Sequence, residues 1–148
     1  MKAIVATQYG GPEVLQLKEV QKPTPKANEI LIKVHATTVT AADFRMRSFT
    51  VPAAVWIPAR LALGITKPRQ PIFGSELAGV VEAVGKDVTR FKVGDKVFGL
   101  TGLGFGTYAE HVCVGKDALL VGKTDDLTFE EAVRYIPRLK FERFGLPR

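Results

Sequence analysis

Apolar and polar residues alternate with a period of two in several short stretches of this chain, the pattern of strands with one buried and one wet face. Residues 14–20 (VLQLKEV) alternate in this way, and residues 29–38 (EILIKVHATT) do so with Ile30, Ile32 and Val34 on one side. Residues 2–7 predict an opening strand and 79–85 (GVVEAVG) a strand bounded by glycines. Residues 96–100, 107–114 (TYAEHVCV) and 118–121 predict three more. The rhythm changes at residues 40–48, where few residues are β-branched. A short helix is expected there, with Thr40 as N-cap and Asp43 in its first turn. A second helix is expected from Leu127, opened by Thr128 and Glu131 three apart as a capping box. Residues 49–70 contain prolines and follow neither period, so they predict a long irregular loop, functional or mobile.

Many short strands, glycine turns and little helix argue for a small β-barrel or sandwich. Gly74, Gly79, Gly85, Gly94 and Gly99 fall at strand ends, where a positive φ or a close backbone approach favours glycine. The run Gly102-Leu103-Gly104-Phe105-Gly106 is not read as a dinucleotide fingerprint. Such a fingerprint opens a helix, and this run leads into an alternating strand.

The 148 residues fit one domain with a real core, and 46% hydrophobic against 24% charged residues is a globular balance. No apolar run is long enough to span a bilayer, and no signal peptide is read at the N-terminus, so the expected address is cytoplasmic. Net charge is +6. Residues 134–148 hold five cations against Glu142, four of those six charges, and elsewhere cations and acids are interleaved. This is read as a solvated surface with an atypical basic tail, and neither nucleic acid nor membrane is expected as a partner. The single cysteine, Cys113, reads as a plain strand residue.

Seven segments then carry a resemblance. In order they are Tyr9 to Leu15 (YGGPEVL), Glu29 to Val34, Val39-Thr40-Ala41-Ala42-Asp43, Gly74 to Gly85 (GSELAGVVEAVG), Phe91 to Gly99 (FKVGDKVFG), Gly106 to Glu110 (GTYAE) and Leu127 to Ala132 (LTFEEA). Together they resemble the N-terminal GroES-like domain of the medium-chain dehydrogenase/reductase superfamily, of the zinc-independent quinone oxidoreductase (zeta-crystallin-like) type. The resemblance covers residues 1 to about 133. It implies a mainly β fold, a GroES-like partly open β-barrel with a few short helices.

The resemblance also implies chemistry. Zinc-binding relatives use an early Cys and a Gly-His-Glu segment, and those positions here are Thr40 and Ser75. A neutral hydroxyl is a poor zinc ligand, and no Cys lies between Asp95 and Tyr108, where the structural zinc loop would stand. No metal is therefore expected, and His35 and His111 read as ordinary strand residues. The cofactor implied is NADP, which supplies a hydride while the protein orients substrate and hydrogen-bonds developing negative charge. Thr40, Asp43 and Glu76 are the candidate catalytic residues, and Thr40 with Arg47 the candidates to touch the cofactor. Thr40 stands where relatives often have Asn. Asp43 is either a pocket residue or a first-turn helix charge, Glu76 either lies near the pocket or starts a strand at the surface, and Arg47 either reaches a phosphate or acidic substrate or lies on a solvated helix face. Phe44, Phe49 and Trp56 form either an aromatic wall for a flat quinone or enone, or core packing.

Residues 134–148 are not recognised as the family's continuation, and Pro137 is expected to break the helix that begins at Leu127. The Rossmann domain is read as absent, through a deletion, a frame shift or a natural stand-alone domain. The expected function is the substrate side of an NADPH-dependent reductase of quinones or α,β-unsaturated carbonyls, with little activity alone. The alternative is a non-catalytic GroES-like module for partner binding or self-assembly as a homo-oligomer.

Overall fold

A computed structural model of the chain describes residues 1–137. The basic tail expected over 134–148 therefore lies mostly outside the described residues. The strands are β1 (Lys2–Ala6), β2 (Leu15–Glu19), β3 (Glu29–Thr37), β4 (Glu76–Val84), β5 (Lys96–Leu100), β6 (His111–Gly115) and β7 (Leu119–Gly122). The α-helices are α1 (Ala41–Ser48), α2 (Trp56–Leu63) and α3 (Phe129–Arg134). The first two strands form an antiparallel hairpin, and the other five form an antiparallel sheet in the order β6-β3-β4-β5-β7. With β6 and β7 at its edges, that sheet does not close into a barrel, and the fold is mainly β with three short helices.

The alternation read from the sequence sorts residues onto the two faces of the sheet. Ile30 and Ile32 of β3, Leu77 and Val81 of β4, Val97, Val112, Val114 and Leu120 meet in one buried cluster. Each large side chain there contributes about 1.5–3 kcal/mol by leaving water. Ala78 and Phe98 point to the other face, against Ala132, Val133 and Ile136 of the α3 region. The register of β3 on β4 shifts between Leu31 and Ile32 and again between Val34 and Ala36, irregularities that bend and twist a pair of strands. Gly99 has φ +155°, and a Cβ there would lie 1.9 Å from the Leu119 carbonyl oxygen on β7. Only glycine lets these two backbones approach so closely.

The capping box expected at Thr128 and Glu131 forms, and Thr40, expected as an N-cap, forms a second one with Asp43. The Thr40 hydroxyl accepts from the Asp43 backbone N–H while Asp43 reaches back, and Thr128 and Glu131 do the same for α3. Residues 49–70 are not an irregular loop throughout. A 3-10 turn (Ala53–Val55) leads into α2. Pro58 is compatible with this helix because it sits in the first turn, where backbone N–H groups have no intrahelical partner. The strand expected over 107–114 begins at His111, preceded by a single bridge between Ala109 and Ala3. That bridge docks the hairpin on the sheet, with Ile4 N–H donating to the Tyr108 carbonyl (2.8 Å), Glu110 N–H to Lys2 (3.1 Å) and Ala6 N–H to Pro71 (2.7 Å). Cys113 is half-buried on β6, and burial pushes its thiol up to about 11.

Candidate functional site

The hairpin does not lie flat on the rest of the fold. Between it, the C-terminal half of β3, the start of α1 and residues 107–110 lies a cavity of about 570 Å³. Leu15 and Leu17 line it from β2, Val34 and Ala36 from β3, and Phe44 and Arg47 from α1. Asp43 and Tyr108 supply polar groups. A mainly apolar concavity with a few convergent polar groups suits a small ligand.

Asp43 is the hub of that polar corner. It is buried. Its Oδ2 accepts from the backbone N–H (2.8 Å) and the hydroxyl (2.7 Å) of Thr40, and its Oδ1 from the N–H of Gly74 (3.2 Å). Asp43 thus both caps α1 and lines the cavity. The Thr40 hydroxyl directs its proton at Asp43, not into the cavity. Arg47 donates from Nη1 to the Gly10 carbonyl (3.2 Å) and lies over the Phe44 ring.

Glu76 is buried beside the cavity, not on its wall. Its carboxylate accepts from the Thr38 hydroxyl. Its own carbonyl accepts from the Thr37 hydroxyl (2.6 Å), which also bonds Thr107 (2.8 Å). The aromatic trio is divided. Phe44 lines the cavity, half exposed. Phe49 and Trp56 belong to a separate cluster with Tyr9, packed around the Arg60 guanidinium, which lies 3.9 Å from the Phe49 ring centre and 5.1 Å from that of Trp56. Phe49 takes a left-handed conformation as the C-cap of α1 and is buried.

Tyr108 was not a candidate from sequence, although it stands in the segment Gly106 to Glu110. Its hydroxyl donates to the Thr38 carbonyl (3.2 Å). Burial, then the charge and hydrogen bonding of Asp43, then the charge of Glu76, hold its proton far above the usual phenol range. A phenol whose folded pKa is raised stabilises the fold below its unfolded value of about 10, and that stability is lost as pH rises through the folded value. Stability is thus expected to fall above about pH 10. Tyr108→Phe should flatten that alkaline limb in urea melts compared across pH, and an unchanged limb would contradict the placement.

His35 lies on β3 and stacks on Phe129 with ring centres 4.4 Å apart, and His111 lies on β6 with its Nε2 2.9 Å from Glu82. Among the described residues no group of three or more His, Cys, Asp or Glu could hold a metal ion.

The family model of the alcohol dehydrogenase GroES-like domain matches residues 26–125. The chain belongs to that family. Among relatives of this GroES-like domain, a quinone oxidoreductase from Sus scrofa is 40% identical over 121 residues, which is 80% of this chain and 32% of the relative. A trans-enoyl reductase from Botryotinia fuckeliana is 34% identical over 139 residues, 91% of this chain and 32% of the relative. The structure of Escherichia coli quinone oxidoreductase complexed with NADPH superposes with a TM-score of 0.71 at 27% identity, over 90% of this chain and 36% of that one. The GroES-like chain thus spans about a third of the length of the curated relatives it matches. The resemblance to the medium-chain dehydrogenase/reductase superfamily stands on these matches.

Proposed function

We propose that this domain forms the substrate side of an NADPH-dependent oxidoreductase that reduces quinones or α,β-unsaturated carbonyls without zinc. The observation that carries the proposal is the cavity beside Asp43, apolar on its walls and polar at one corner. The names of the relatives, quinone oxidoreductase and trans-enoyl reductase, support the substrate class. The NADPH bound by the Escherichia coli relative supports the cofactor. Thr40 and Ser75, at positions where zinc-binding relatives place ligands, support chemistry without zinc.

The fit to the cofactor is one-sided. The apolar walls suit a nicotinamide ring or a flat substrate. The described residues hold no phosphate cradle, because the glycines of residues 102–106 lead toward β6 and not into a helix N-terminus. NADPH, when bound, supplies the hydride.

Hydride addition to a conjugated carbonyl leaves negative charge on oxygen, which needs donors already in place. Arg47, whose guanidinium has donors beyond the one bonded to Gly10, is among the donors lining the cavity. Tyr108 would serve a substrate oxygen by turning its proton from the Thr38 carbonyl, and Phe44 provides a flat apolar surface. Asp43 is a positioning residue in this scheme. It fixes Thr40 and the Gly74 backbone and keeps the proton on Tyr108. Glu76 acts at one remove through Thr38, whose carbonyl accepts the Tyr108 hydroxyl.

The test is titration of the 148-residue chain with a water-soluble naphthoquinone, followed by amide NMR. Saturable shifts are expected at Phe44, Arg47 and Tyr108, weakened about tenfold by Phe44→Ala, a loss of about 1.4 kcal/mol of binding. Shifts confined to other surfaces, or none at these three residues, would remove the basis of the proposal.

A further inference from the structure

The second helix is built inside out. Its one charged residue, Arg60, is turned inward against the rings of Tyr9, Phe49 and Trp56. Ile57 and Leu61 are turned outward. Ile57 is 67% exposed and Leu61 57%, one turn apart on the same side, and Ile65, just past the helix, is 66% exposed. Val55 and Trp56, at its start, are about half exposed, and no residue of α2 is buried. An ordinary surface helix has the opposite arrangement, with its apolar stripe on the core and its charges in water.

The surrounding charge has one sign. Residues 44–75 contain five cations (Arg45, Arg47, Arg60, Lys67, Arg69) and no Asp or Glu. Arg60 is committed to the aromatic cluster, but Arg45, Lys67 and Arg69 are exposed around the helix. Arg45 shares a groove between α1 and α2 with Leu63, and the backbone N–H of Arg69 donates to the Leu63 carbonyl (2.8 Å). No helix among the described residues is long and apolar enough to cross a membrane.

We propose that this face docks on an anionic phospholipid bilayer, with α2 lying in the plane of the interface. Outward Ile and Leu side chains enter the acyl boundary, the exposed half of Trp56 meets it from the helix start, and Arg and Lys meet the headgroup phosphates, the composition of an interfacial helix. Charge decides between this occupant and a second copy of the chain. A two-fold contact through this face would set cations against cations with no acid from the segment to relieve them.

Trp56 is the sole tryptophan, so it reports directly from the proposed contact. The full 148-residue chain is mixed with vesicles of phosphatidylcholine alone or of phosphatidylcholine with phosphatidylserine. With the anionic vesicles the chain should co-sediment, and Trp56 emission should shift to the blue and be quenched by brominated acyl chains. Neutral vesicles or high salt should weaken partitioning about tenfold or more. The pair Ile57→Ser and Leu61→Ser should also weaken it by about tenfold or more. Lys67→Glu and Arg69→Glu should each cost about fivefold or more. All four side chains are exposed, so unchanged circular dichroism and melting separate lost binding from lost folding.

Three results would overturn the proposal. One is no binding to the anionic vesicles. Another is equal binding to neutral and anionic vesicles, the behaviour of an apolar face that merely lacks a protein cover. The third is a blue shift that depends on protein concentration without lipid, with a dimer mass in sedimentation, which would make a second copy the occupant.

Discussion

Asp43→Asn is expected to lower folding stability by about 2–4 kcal/mol, although the substitution barely changes shape. The carboxylate receives three donors, the backbone N–H and hydroxyl of Thr40 and the N–H of Gly74. Every one of them needs an acceptor. An amide offers one oxygen and presents an NH₂ where the other acceptor stood, so at least one buried donor meets another donor. The capping box of α1 weakens as well, a loss of about 1 kcal/mol on its own. Urea denaturation measures the effect as a lower midpoint with an unchanged slope. A loss below about 0.5 kcal/mol would mean that water or another group already serves these donors, and that Asp43 does not organise the cavity.

Gly99→Ala should cost more, about 3 kcal/mol or above, and the variant is expected to accumulate poorly as soluble protein. The added Cβ would meet the Leu119 carbonyl oxygen at 1.9 Å, and φ is +155°. Relief requires β5 and β7 to move apart, which breaks the Gly99–Leu120 register beside the fully buried Leu120. Gly94→Ala is the control. Its φ is also positive, at +92°, but a Cβ there meets nothing within 4 Å. Conformational strain alone predicts about 1–2 kcal/mol at that turn. Thermal melts of the two variants separate backbone strain from collision, and equal losses would show that the close approach of the strands is not what position 99 protects.

Local features of this chain are legible in its sequence, and those set by tertiary packing are not. Alternation places Ile30, Ile32 and Val34 on one side of β3, and the sheet buries that side, because a period of two is a local property of the backbone. The capping box of Thr128 and Glu131 and the N-cap at Thr40 are legible for the same reason, since the residues involved stand within one turn of each other. The second helix is hidden by Pro58, which reads as a breaker until its first-turn position is known. The division of the aromatic trio depends on Arg60, and that contact is set by tertiary packing. The place of Tyr108 beside Asp43 depends on segments brought together only by the sheet. Sequence therefore marks the residues on α1 and leaves their partners across the cavity unmarked.

The hairpin that roofs the cavity also sets how that space would open. It is tied to the main sheet through the single bridge at Ala3 and Ala109 and the few backbone bonds around it, whereas β3 and β4 are paired along most of their lengths. Units joined by few bonds open with a smaller free energy than the whole fold. The hairpin is thus the natural cooperative unit for partial opening. Lifting it would remove the apolar wall of Leu15 and Leu17 and free the Tyr108 backbone, whereas the bonds of Asp43 to Thr40 and Gly74 involve no hairpin residue and would stay closed.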